Sequence, residues 1–211
     1  MGGVASGSGG ASGQGADAVS GGGGGSGGGD GDGGLADAGG DDAGAGACHV
    51  ETAMMPSEGA DHVATCRPII YRSRPPSSGS HYGEWAKFRV YDKPVPWGFL
   101  VHAMEHGAVV IAYNCPQGCA TEVEQAKAMI ASLPARSGCP GPAVILTPDP
   151  TLDTRFAASA WLWVLRATCF DSDRFAAFAR EHQDHGPELI PGDCGYVDLE
   201  ADGWCPAAPG S

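Results

Sequence analysis

The sequence predicts an α+β domain with a small mixed sheet, two main helices and long Pro/Gly-rich loops, braced by disulfides. Three observations carry this expectation. Two short runs rich in Val and Ile, Gly107–Tyr113 and Ala143–Thr147, flank a segment with helical spacing. A second amphipathic segment closes the chain's apolar portion at Asp173–His182. Eight cysteines lie in the last 164 residues, with no CxxC pair repeated at metal-finger spacing, a usage that points to disulfides and an oxidising compartment.

Composition divides the chain in two. Residues 1–47 hold 22 of the 35 glycines and six aspartates, with no Lys, Arg, Pro or aromatic residue. A segment so poor in apolar mass cannot offset its ordering entropy and reads as a flexible acidic tether. Residues 48–211 are expected to form one folded domain. They carry the Pro, Trp and Cys residues and 12 basic against 19 acidic side chains. A net negative surface without a basic stripe argues against nucleic acid and anionic membranes, and no window has the roughly 18 uninterrupted apolar residues of a transmembrane span. Export needs a signal, and Met1 is not followed by a basic and then an apolar segment. The expectation is therefore a start upstream of Met1 or a processed form, with membrane tethering through an N-terminal lipid anchor missing from this sequence.

From Cys48 to Arg74 the chain reads as irregular, with His49 and His62 in no sustained pattern. Pro75-Pro-Ser-Ser-Gly-Ser-His81-Tyr82 is a rigid, turn-rich loop that fixes His81 close to its own backbone. Trp85, Phe88, Val90 and Tyr91 supply core mass before Pro94-Val-Pro96 breaks the chain. Gly107–Tyr113 is a buried strand and Asn114-Cys-Pro-Gln-Gly118 a turn. Thr121–Leu133 places Val123, Ala126, Met129 and Ile130 on one helical face, and Ala143–Thr147 is the next strand, so the three favour a parallel crossover. Ala160–Ala167 fits a strand or a short helix, because a short apolar run cannot be arbitrated by period alone. Asp173–His182 is the clearest helix: Phe175, Phe178 and Ala179 make its stripe, and Asp171 or Ser172 can cap it. His182 and His185 at its end suit the helix dipole.

Chemistry concentrates in His102-Ala-Met-Glu-His106. If helical, these residues place His102, Glu105 and His106 together and spell HxxEH, the inverted zinc-hydrolase pattern with Glu as base. If extended, they place His102, Met104 and His106 on one side, a softer ligand set suited to Cu(I). With His81, the metal candidates are His81, His102, His106 and Met104, and the ion is copper or zinc. Were the protein an enzyme, Glu105 would be the general base and a metal-bound water the nucleophile. The rival expectation is a non-catalytic surface module in which His102, Glu105 and His106 satisfy one another by hydrogen bonds. A thiol oxidoreductase resting on Cys115-Pro-Gln-Gly-Cys119 is a third. Eight cysteines allow 105 pairings; local closures of Cys115 with Cys119 and of Cys194 with Cys205 are among the possibilities.

Four blocks in order, Pro75-Pro-Ser-Ser-Gly-Ser-His81-Tyr82, Tyr91-Asp-Lys-Pro-Val-Pro96, Leu100-Val-His102-Ala-Met-Glu105-His106-Gly107 and His185-Gly-Pro-Glu188, resemble a bacterial family catalogued as domain of unknown function 3105. The resemblance runs from about Arg67 to about Ile190. It implies an exported or membrane-tethered protein (periplasm, outer surface or secreted) and carries over to His81, His102, Glu105, His106 and Glu188. Cys115, Cys119, Cys139 and Cys169 depart from the family pattern and suggest a disulfide-reinforced branch.

Overall fold

A computed structural model describes residues 47–197 and Cys205. The glycine-rich tether expected at 1–47 falls outside these residues except for Ala47. In chain order the elements are β1 (Val50–Met54), β2 (His62–Val63), β3 (His81–Tyr82), α1 (Trp97–Glu105), β4 (Val109–Tyr113), α2 (Ala120–Ser132), β5 (Val144–Pro148), β6 (Phe156–Ala160), β7 (Trp163–Ala167) and α3 (Ser172–His182). The five-stranded sheet runs β1-β7-β6-β4-β5, and β2 and β3 form a separate two-stranded pair. β4 and β5 are parallel, with Val109 opposite Val144, as the strand, helix and strand spacing predicts. The other pairings in this sheet are antiparallel, so the mixed α+β class is correct.

The alternation of side chains along a strand explains why β4 and β5 read as unbroken apolar runs. Val109, Ile111, Val144 and Leu146 point into a core shared with α2 and α3, where Ala126, Met129, Phe175 and Phe178 meet Phe156 and Leu165. Val110 and Ile145 point the other way, against Phe99, Leu100, Val101 and Met104 of α1. Helices thus cover both faces of the central strands.

Several expectations are corrected. The region 48–74 is not wholly irregular: β1 pairs antiparallel with β7, and β2 pairs parallel with β3. Of the two readings of Ala160–Ala167 the strand is right for Trp163–Ala167, which is β7, while Ala160 ends β6 and Trp161-Leu162 form the tight turn between them, with Leu162 at φ 65°. There are three helices among the described residues, α1 being additional to the two main ones expected. The cap of α3 is as anticipated, the Arg174 amide donating to the Asp171 carboxylate at 3.0 Å.

The cysteines pair as Cys48–Cys169, Cys66–Cys205, Cys115–Cys119 and Cys139–Cys194. The local Cys115–Cys119 closure is present, whereas Cys194 bonds Cys139 rather than Cys205. In the chain-entropy picture the 121-residue separation of Cys48 and Cys169 is worth about 5 kcal/mol and a separation of four about 2. The long links therefore do most of the bracing. No helix among the described residues is long and apolar enough to cross a membrane.

His182 is buried rather than a solvated group at the helix end. Its ring stacks on Trp163 at 5.0 Å and 24° and meets Phe178 edge-on, and burial lowers its pKa from the usual 6.5. The unfolded imidazole takes up a proton at a higher pH than the native one. Its contribution to stability is therefore intact above about pH 6.5 and is lost as pH falls from there through the lower native value. Urea midpoints measured from pH 7.5 to pH 5 should fall, and His182→Phe should remove part of that slope; an unchanged slope would refute the assignment.

Candidate metal centre

Local sequence builds the site from three elements, β2, β3 and α1. Pro94-Val-Pro96 ends the preceding loop, and Pro96 enters α1 with extended backbone, as suits a residue that cannot donate to a helix ladder. The helix stops at His106 through a Schellman closure: Gly107 N–H donates to the Met104 carbonyl and Ala108 N–H to that of Ala103, both at 2.9 Å. Gly107 sits at φ +85°, a left-handed conformation natural to glycine. The HxxEH segment is therefore helical, and His102 and Glu105 share one face.

His81, fully buried on β3, and His62, on β2, stand side by side in the parallel register. His62, His81 and His102 form a triangle of rings with centroids 4.7–4.8 Å apart. Glu105 completes the set: one donor atom from each of His62, His81, His102 and Glu105 lies within 4.8 Å of the others. Three are buried and His62 is exposed. Donors about 2.1 Å from a tetrahedral ion lie roughly 3.4 Å apart, so a pair at the 4.8 Å limit needs to draw in by about 1.4 Å to share one.

Each buried imidazole is oriented through its other nitrogen. His81 Nδ1 lies 2.9 Å from the Gly79 carbonyl, His102 Nδ1 2.6 Å from that of Tyr82, and His106 Nδ1 2.5 Å from that of Glu188. A carbonyl only accepts, so Nδ1 carries the proton and Nε2 presents a lone pair. This is how metal-binding histidines are commonly held. His81 Nε2 then faces Glu105 Oε2 at 2.9 Å, and His102 Nε2 lies 3.9 Å from the same oxygen. The groups at the shorter contact are out of line for a hydrogen bond, so His81 Nε2 stays buried without a hydrogen-bond partner.

Burial sets the electrostatics. It lowers the His81 pKa and pushes that of His102 down to about 3, with the neighbouring imidazoles lowering both further and the carbonyl bonds opposing. Burial, and then Glu188, raises that of Glu105. His81 and His102 are held neutral and the Glu105 carboxyl is disfavoured as a bare anion, a set that a cation would stabilise.

The sequence-predicted candidates divide. His81, His102 and Glu105 converge. His106 lies beside His102, ring centroids 4.7 Å apart, with Nε2 buried and unpartnered, but it is not one of the four convergent donors. Met104 is fully buried in the core on another side of α1, about 200° around the helix from His102, which removes the extended geometry that made it a ligand. His62 was missed. It stands alone in its stretch of sequence, and only the β2–β3 register places it here. Trp85 walls the site, its ring 4.4 Å from His106 and 4.8 Å from His102, and its Nε1 donates to Asp193. A cleft of about 310 Å³ lined by Tyr71, Arg74, Trp97 and Asp149 contains none of the four donors.

The model of a family described as protein of unknown function (DUF3105) matches residues 62–192, well over half of the chain. The chain belongs to this family. The DUF3105 match begins at His62 and so takes in all four convergent side chains, five residues earlier than the sequence blocks alone suggest. No curated protein and no solved structure matches the chain.

Proposed function

We propose that this DUF3105 domain is an exported metal-binding module in which His62, His81, His102 and Glu105 hold one zinc or copper ion. One observation carries the reading: the His81 lone pair and a Glu105 oxygen stand 2.9 Å apart, buried, with no hydrogen bond between them. An imidazole lone pair and a carboxylate oxygen at that distance repel unless a proton or a cation lies between them, and the out-of-line geometry favours the cation. The rival reading, a self-satisfied network of His102, Glu105 and His106, would pair those side chains with one another, yet His102 Nε2 lies 3.9 Å from Glu105 Oε2 and His106 Nε2 has no hydrogen-bond partner.

Three imidazoles and a carboxylate suit divalent zinc or copper better than soft Cu(I). Four protein ligands also close a tetrahedral shell, whereas hydrolytic zinc sites keep a position open for water. In this reading Glu105 is a ligand and not a general base, and the site stores, senses or transfers its ion. The exposed His62 is the side from which the ion enters. The four disulfides support an oxidising, extracytoplasmic location.

Protein stripped with chelator and titrated with Zn²⁺ and Cu²⁺ in a calorimeter should bind about one equivalent. At free metal a hundredfold above Kd, unfolding free energy should rise by about 2.7 kcal/mol. Binding no tighter than millimolar for both ions removes the proposal.

A further inference from the structure

Three of the four disulfides join segments 55 to 139 residues apart; Cys115–Cys119 spans four. Closing so small a loop braces little. Cys115 comes two residues after the end of β4, in the loop that leads from this strand into α2.

Cys119 is the N-cap of the 13-residue α2, yet its side chain makes no capping hydrogen bond while tied to Cys115. The acidic residue of the first turn, Glu122, is neutralised by Arg155 through Nε at 3.1 Å and through Nη2. The helix's positive end is thus left to act on the cysteine. Both cysteines are partly exposed, and Pro116, Gln117 and Gly118 between them are exposed.

We propose that Cys115–Cys119 is an exchange-active disulfide that oxidises a dithiol in a cysteine-bearing polypeptide. A partner thiolate attacks Cys115 Sγ, and the S–S electron pair passes to Cys119 Sγ, which leaves as a thiolate stabilised by the α2 N-terminus. The partner's second thiolate then attacks its own sulfur in the mixed disulfide, forming the partner's disulfide and expelling Cys115. Two electrons and two protons move from the partner's thiols to Cys115 and Cys119, one turnover per chain. This inference does not depend on the metal reading, since the His cluster precedes β4 and the disulfide follows it.

The test equilibrates the full oxidised chain with graded ratios of reduced to oxidised dithiothreitol, alkylates free thiols and maps them by mass spectrometry. Cys115 and Cys119 should be labelled at ratios at least about 100-fold below those that open the other three pairs. The oxidised protein should convert one equivalent of a reduced dithiol peptide to its disulfide. With the peptide's disulfide form, Cys119→Ser should trap a mixed disulfide at Cys115. The proposal is overturned if the pair opens only together with the others, if the peptide stays reduced, or if the doubly substituted Cys115→Ser/Cys119→Ser protein oxidises the peptide as fast as the native chain. The redox titration needs no variant and stands whether or not the variants fold.

Discussion

His102→Ala is expected to lower zinc and copper affinity by at least about a thousandfold, beyond the roughly 100-fold that losing a group merely supporting a ligand costs. The substitution removes the central donor of the triangle and leaves the Tyr82 carbonyl, 2.6 Å from Nδ1, without its donor. His62→Ala should weaken binding by a similar order although His62 is exposed and touches little of the core. His106→Ala should change it by no more than about tenfold. The contrast matters because the sequence favours His106 as third ligand and the fold favours His62. Calorimetric titration of the three variants decides between them, each checked first for an unchanged metal-free circular dichroism spectrum. Binding lost in His106→Ala and kept in His62→Ala would overturn the ligand set.

Gly186→Ala should destabilise the protein by about 3 kcal/mol or more in urea unfolding. A Cβ there would lie 2.1 Å from the Glu105 carbonyl oxygen and 2.5 Å from the Gly107 amide. Both are backbone atoms that no rotamer change can clear. The segment it would displace is bonded to the end of α1: Asp184 N–H donates to the Gly107 carbonyl at 2.8 Å and Glu188 N–H to that of Glu105 at 3.1 Å. His106 Nδ1 also relies on the Glu188 carbonyl. Gly141→Ala, at a site with nothing within 4 Å of the added carbon, should stay within about 0.5 kcal/mol of the native chain. Equal effects at the two positions would refute the packing account.

Much of this was legible because buried elements announce themselves. β4, β5, α2 and α3 carry continuous or periodic apolar runs, and the HxxEH spacing acquires meaning once α1 is helical. β6 was hidden by Phe156-Ala-Ala-Ser-Ala160, whose small side chains lack strand character and gain it only between β4 and β7. β1 was hidden because it pairs with a single strand at the sheet's edge and its residues are half-buried or exposed, so no run of apolar residues marks it. At the site, His81, His102 and Glu105 were readable from motif and loop chemistry. His62 was not, because a two-residue parallel pairing between segments 19 positions apart leaves no local pattern. Burial could not be foreseen for Arg136 either. Its guanidinium donates to the His106 carbonyl at 2.9 Å and pairs with Asp184 at 3.1 Å, tying α1 to the family's last block.

The shortness of β2 has a consequence for motion. Between Met55 and Arg72 only His62 and Val63 are in regular structure and no residue is buried, so apart from the Cys66–Cys205 link little packing holds this stretch in place. An ion shared by His62 and the buried helix would act as a latch: freeing the stretch would mean surrendering the ion, and capturing one would fasten an exposed stretch to a buried helix.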